Sequence, residues 1–398
     1  MEQTWRWFGP DDPIRLPEIR QTGATGIVTA LHHIPYGVAW SVEEIEKRRA
    51  MIAADPELGL RWSVVESLPI AEAIKIGEGD LNELFENYRQ SLRNLAACGI
   101  RTVCYNFMAL LDWTRTELRH RLPGGATALR YNAHEVAAFD CYILERPGSE
   151  DDHDPSVLAK ARDWMKRASE ADKDQLLATI MAGLPGAYER YDVPGLRRVL
   201  ERFEGMTHDE LRRNYVRFLK EVVPTAEEVG VRLCVHPDDP PFDVFGLPRI
   251  VSTLDDLQFI VDAYPSPANG VTFCTGALGA GPTNDVPYMA ERLARHIKFV
   301  HLRNVTKEPD RSFMEADHLG GDVDMVAMVR ILLTEQGRRK AAGVSSWRIP
   351  FRPDHGHELL DDHMRRTHPG YPLVGRLRGL AEIRGVMTAV ASLDGQPI

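Results

Sequence analysis

The sequence has no apolar run approaching the roughly 18 residues of a membrane span, and it has no excess of basic charge. Its 398 residues include 48 Lys or Arg against 58 Asp or Glu, a formal net charge of −10. That balance argues against binding a polyanion through a broad surface, so neither nucleic acid nor membrane is an expected partner. Cysteine is scarce. Five residues (Cys98, Cys104, Cys141, Cys234 and Cys274) stand singly, without the paired spacing of a secreted disulfide framework. The opening Met1-Glu2-Gln3-Thr4-Trp5-Arg6-Trp7 lacks the apolar core of a signal peptide. A reducing cytoplasm is the expected compartment. No Gly-x-Gly-x-x-Gly follows any strand-length run, which counts against a doubly wound dinucleotide-binding sheet with a second domain. No fixed-period repeat or low-complexity tract is present either.

What is there is a globular composition, 43% hydrophobic and 27% charged, in a chain long enough for a large core. Eight short apolar runs have strand length. They are Ala24 to Leu31, Leu60 to Glu66, Arg101 to Asn106, Val231 to His236, Val271 to Thr275, Ile297 to Leu302, Trp347 to Arg352 and Gly385 to Ala391. Helix-start signals follow several of them, such as Ser41-Val-Glu-Glu44 and Thr253-Leu-Asp-Asp256. Parallel strands need helical crossovers, so the alternation predicts an α/β fold, a single (β/α)8 TIM barrel over residues 1–398. One gap breaks the rhythm. Between the third and fourth runs lie charged helical stretches (Pro155 to Leu177, Asp209 to Val222) and turns at Pro147-Gly148 and Pro185-Gly186. Residues 109–225 therefore read as a helical insertion after strand three, a lid or a dimer arm; a homodimer is the expected assembly.

In such barrels the chemistry sits at the C-terminal ends of the strands. There the sequence places His236, Cys274, His301 and, after the seventh run, Asp354 with His355. Each alone has a bland reading as a structural histidine or a small buried thiol. Together they form a four-ligand set for one first-row divalent cation. Around them stand groups suited to a polyhydroxy acid. Arg303 shares a strand face with His301 and could meet a carboxylate. His32 and His33 end the first run, Glu66 the second, and Tyr105 and Asn106 the third; His318 lies in the loop after the sixth. The segment His368-Pro-Gly-Tyr371 would bring a phenol near the end of the seventh.

At these residues the chain resembles bacterial mannonate dehydratases, nearly end to end. The resemblance is carried by long strings: the opening seven residues, Thr29-Ala-Leu-His-His-Ile-Pro35, Trp62-Ser-Val-Val-Glu-Ser67, Thr102-Val-Cys-Tyr-Asn-Phe-Met108, Asp112-Trp-Thr-Arg-Thr116, His236-Pro-Asp-Asp-Pro-Pro241, Gly246-Leu-Pro-Arg-Ile-Val-Ser252 and Arg352-Pro-Asp-His-Gly-His357. It implies a xylose-isomerase-like barrel that converts D-mannonate to 2-keto-3-deoxy-D-gluconate and water in hexuronate breakdown. It also implies one manganese or iron(II) ion per subunit on His236, Cys274, His301 and Asp354, and a catalytic role for Tyr371. Ligand softness alone would favour zinc for that set. Such a reaction needs a base at C2, for which Asp354 and His355 are both candidates, and an acid for the C3 hydroxyl, for which Tyr371 is the candidate. The rival readings are a sugar isomerase on the same barrel, a metal-dependent endonuclease, which the acidic balance disfavours, and a sugar-acid-binding protein without turnover.

Overall fold

In the computed structural model, which describes residues 1–182 and 191–395, eight parallel strands close into a barrel. They are β1 (Glu2–Arg6), β2 (Gly26–Thr29), β3 (Arg61–Glu66), β4 (Thr102–Tyr105), β7 (Arg232–Val235), β8 (Val271–Cys274), β9 (Ile297–His301) and β12 (Pro350–Arg352). Four more, β5 (Glu117–Arg121), β6 (Thr127–Tyr131), β10 (Asn304–Lys307) and β11 (Phe313–Ala316), form a separate antiparallel sheet in the order β10-β11-β6-β5. The barrel class is as the sequence predicts. Two of its elements are not.

The run Gly385 to Ala391 is not a strand. It lies inside a helix, Leu373–Asp394, whose buried residues Leu380, Ile383, Met387 and Val390 recur every three or four positions. A short apolar run rich in Val and Ala fits either period, and here the longer pattern decides. The missing strand is the opening segment, where β1 pairs with β2 through Thr4↔Gly26, Trp5↔Ile27 and Arg6↔Val28, and with β12 through Glu2↔Pro350 and Gln3↔Phe351. Pro350 begins its strand, the position where a missing N–H costs the ladder least. The expected third run is thus the barrel's fourth strand.

The segment that interrupts the barrel after β4 is mixed rather than wholly helical, since it begins with the β5–β6 hairpin. Its last helix, His208–Val229, is the barrel's own crossover into β7. Thr207 and Glu210 cap it reciprocally, with Thr207 Oγ1 accepting from the Glu210 N–H at 3.2 Å and Glu210 Oε2 accepting from the Thr207 N–H at 2.9 Å. Its buried stripe (Leu211, Tyr215, Phe218, Leu219, Val222 and Ala226) packs into the barrel core. The Pro147-Gly148 turn is present, with Gly148 at φ 75°; Pro185-Gly186 lies outside the described residues. The cap predicted at Thr253 forms in both directions. At Ser41 only half forms, because the Glu44 carboxylate turns instead to His33, 2.8 Å away. Among the described residues, no helix is long and apolar enough to cross a membrane.

Strand alternation sets the site. Val28, Val64, Cys104, Cys234 and Phe299 form a small cluster of their own, apart from the outer core. Their outward neighbours Ile27, Val65, Val103, Leu233 and Val300 belong to the larger one. Side chains two residues further on share the inner face, one layer higher. That layer holds Glu66, Asn106, His236 and His301.

Candidate active site

At the barrel's C-terminal mouth, His236, Cys274 and His301 bring one ligand atom each within 4.8 Å of one another. His236 Nε2 and His301 Nδ1 are 3.1 Å apart. Cys274 Sγ is 3.6 Å from Asp354 Oδ2, which is 3.8 Å from His301 Nδ1. Metal–ligand bonds of ~2.0–2.3 Å in a tetrahedral site put neighbouring ligand atoms ~3.3–3.8 Å apart, so these edges fit a first-row ion. The outer ring nitrogens both face oxygen acceptors. His236 Nδ1–H donates to the Pro237 carbonyl at 2.6 Å, and His301 Nε2 faces Glu66 Oε1 at 3.4 Å. With protons on those outer atoms, two lone pairs confront each other across 3.1 Å, an arrangement that a shared cation relieves.

Asp354 sits in the left-handed region at φ 62°, a conformation that Asp tolerates better than most residues. It is 3% exposed and held from both sides. Arg352 donates to Oδ1, and Arg303 Nε lies 2.7 Å from Oδ2. Burial would raise its carboxyl, but Arg352, His355, His301 and Arg303 together hold it well below the ordinary carboxylate range. Glu66 is treated alike. Arg352 grips both its oxygens, at 2.7 and 2.9 Å, and the Arg352 charge foremost, with the His301 ring facing it and Arg6, outweighs burial to keep it ionised.

The cavity above these groups is lined by His32, Glu66, Asn106, His236, Asp354, His355 and Tyr371, and also by Arg6, Arg352, Asp112, Trp113 and Lys75. Tyr371 stands edge-on to Phe8 and to His355, ring centroids 5.0 Å away in both cases. Burial pushes its phenol up to about 12, so it keeps its proton at neutral pH. Gly370 makes this placement possible. At φ 80°, a Cβ there would meet Leu129 Cδ1 at 2.7 Å and His355 Cδ2 at 3.0 Å. His32 is neutral, since burial and the Arg6 charge lower it well below its usual value, and its Nε2 accepts from Arg6 at 3.3 Å.

Residues 1–395 match the family of D-mannonate dehydratase (UxuA). The chain belongs to the mannonate dehydratase family. A mannonate dehydratase of Chromohalobacter salexigens is 56% identical over 394 residues, spanning 99% of this chain and 100% of the relative. One from a Marinomonas species is 50% identical, spanning 98% and 100%. The crystal structure of mannonate dehydratase from Streptococcus suis serotype 2 superposes with a TM-score of 0.79 at 33% identity, covering 100% of this chain and 95% of that one.

Within this mannonate dehydratase fold, four residues singled out from the sequence stand elsewhere. Tyr105 lies in the core, its hydroxyl 2.7 Å from that of Tyr215; Asn106 faces the cavity, and adjacent strand residues cannot both do so. His33 is exposed beside Glu44. His318 is buried behind the site, 2.8 Å from the Pro353 carbonyl, where it supports the turn into Asp354. Arg303 is not free for a ligand's carboxylate, because Glu315 takes Nη1 at 2.7 Å, Asp239 takes Nη2 at 2.6 Å and Asp354 faces Nε.

The converse group went unassigned in the sequence. Arg6, Arg352, Asp239, Glu315 and Arg115 are at most 6% exposed and form the charged walls and backing of the cavity. Arg6 lies two residues beyond Thr4 on β1, a signal that reading the opening segment as a strand would have exposed; Arg352 ends a run that does read as a strand, but its residue type alone gave it no role there. Glu315 and Arg115 have no such signal. They meet each other at 2.9 Å across 200 residues of sequence.

Proposed function

We propose that this protein dehydrates D-mannonate to 2-keto-3-deoxy-D-gluconate, as a cytoplasmic hydro-lyase of hexuronate breakdown working as a homodimer. One divalent cation, manganese or iron(II), would sit on His236, Cys274, His301 and Asp354. The observation that carries the reading is this ligand set at the mouth of a barrel that belongs to the mannonate dehydratase family. Bound there, such a cation would supply Lewis-acid charge for the anion that proton removal builds.

The chain's own residues divide the proton transfers. The C2 proton is weakly acidic because its neighbour is already an anion, and removing it concentrates negative charge at C1 and C2. Arg6 and Arg352, buried in the cavity wall, stabilise that charge without having to reorganise. Asp354 is a poor base, with both oxygens facing cations and its proton affinity lowered. His355 is the better one: it lines the cavity, and its Nδ1 is engaged by Glu315 at 3.0 Å. Tyr371 then protonates the departing C3 hydroxyl. Water leaves, and the resulting 2-enol takes a proton at C3 to become the 2-keto acid.

His32 and Asn106 would contact the substrate hydroxyls. An isomerase would instead leave the oxygen count unchanged. Incubating metal-loaded protein with D-mannonate and measuring 2-keto acid against total aldonate separates the two. Keto acid equal to aldonate consumed supports dehydration, and a sugar isomer without loss of water would replace it.

A further inference from the structure

Glu315 does not line the cavity. It sits on β11, 3% exposed, in the sheet that the barrel's insertion completes; β11 pairs with β6 through Phe313↔Tyr131 and Met314↔Arg130. Its carboxylate is nonetheless tied to the site. Arg303 donates to it at 2.7 and 2.9 Å, Arg115 at 2.9 Å, and His355 Nδ1 lies 3.0 Å from Oε1. The two buried arginines that donate to it, Arg303 foremost and Arg115, outweigh burial and keep Glu315 ionised. An ionised carboxylate can only accept. The proton of a neutral His355 is therefore on Nδ1, and the lone pair is on Nε2. That atom is 4.0 Å from Asp354 Oδ1, on the side of the ligand set. The other neighbours of the ring, Tyr371 and Trp113, meet it edge-on and fix no tautomer.

We infer that Glu315 is a positioning residue for the proton abstraction, holding His355 in the one tautomer and orientation that make Nε2 a base. The inserted sheet is then part of the catalytic apparatus rather than only a lid or an arm. Arg115, which enters from the insertion and is fully buried, braces Glu315 and Asp239 together, 2.8 Å from the latter. The logic is that of a carboxylate orienting a histidine base, where losing the carboxylate costs rate rather than binding. The inference rests on the dehydratase reading with His355 as base.

The test uses Glu315→Gln and Glu315→Asp in the full metal-loaded chain. Gln keeps the shape but can present an N–H to Nδ1; Asp keeps the charge but withdraws it by one methylene. Either variant should lose at least about 30-fold in kcat, with KM and bound metal within threefold of the parent. The primary isotope effect with C2-deuterated D-mannonate should rise, because proton abstraction becomes the slow step. In a His355→Asn background, Glu315→Gln should cost less than threefold. An unchanged kcat and isotope effect, or an equal loss in both backgrounds, would overturn the inference. Nitrogen-15 spectra of histidine-labelled, zinc-loaded protein give a readout free of turnover. They should show His355 protonated at Nδ1, and an Nε2–H tautomer overturns the inference. Inactivity toward D-mannonate with the Nδ1–H tautomer intact would instead sink the dehydratase reading alone.

Discussion

His236 and His301, 65 residues apart in the chain and separated by one strand of the barrel, point ring nitrogens at each other across 3.1 Å. With protons on both outer nitrogens, that of His236 toward the Pro237 carbonyl and that of His301 toward Glu66, no hydrogen bond explains the pair. A cation between them would, with Cys274 adding a ligand from the strand in between and Asp354 a fourth. His236→Ala should lower metal content, measured by plasma emission on dialysed protein, by tenfold or more. Cys274→Ser should weaken retention while leaving the melting temperature of the metal-free form within about 2 °C. Stripping the parent protein with a chelator should abolish turnover, and manganese or iron(II) should restore it.

Tyr371→Phe removes one oxygen and keeps the ring against Phe8 and His355. Loss of a positioned acid typically lowers kcat by ~10²–10⁴-fold, with little change in KM or in the melting temperature. Near-normal kcat in a folded Phe variant would remove Tyr371 from the chemistry.

Gly370 sets where that phenol stands. Gly370→Ala puts a Cβ at φ 80° against Leu129 and His355, so it should cost about 1–2 kcal/mol of stability and lower kcat through displacement of His355 and Tyr371. Equal stability and activity in the Ala variant, measured by denaturant unfolding and initial rates, would contradict the packing described.

The fold was legible in the sequence as far as periodicity and length could carry it. Seven of the eight predicted runs contain barrel strands, and the metal-ligand candidates were found because they end those strands. The eighth failed because Gly385 to Ala391 reads the same way at either period until the flanking Leu380 and Ile383 are included. Tyr105 failed because one residue of register separates the core from the cavity. Glu315 and Arg115 could not be read at all. Their meaning comes from a sheet that joins β5 and β6 to β10 and β11 across the barrel mouth, and no local pattern encodes that pairing.

Lys298, three residues before the candidate ligand His301, offers a pH signature independent of the site. Burial, with the Arg339 and Arg232 charges, lowers its ammonium to about 8. The unfolded chain keeps that charge to about 10.4. The folded protein is therefore destabilised by it below pH 8, and the penalty is relieved as pH rises from 8 toward 10.4. Lys298→Met should stabilise by about 1–2 kcal/mol at pH 7, allowing for solvent screening. The gain should shrink to nothing near pH 10.4 in paired unfolding curves, whereas a gain constant across that window would show that Lys298 is not desolvated.

In the proposed reaction a proton is taken from C2 and a hydroxyl leaves C3. Proton and carbon NMR of D-mannonate turned over by the manganese-loaded protein in deuterium oxide, after removal of the metal, tests it most directly. The expected product is 2-keto-3-deoxy-D-gluconate carrying one solvent-derived deuterium at C3, beside the hydrogen that C3 already held. A product with no deuterium at C3, as a direct hydride shift from C2 would give, or no keto acid at all, would contradict it.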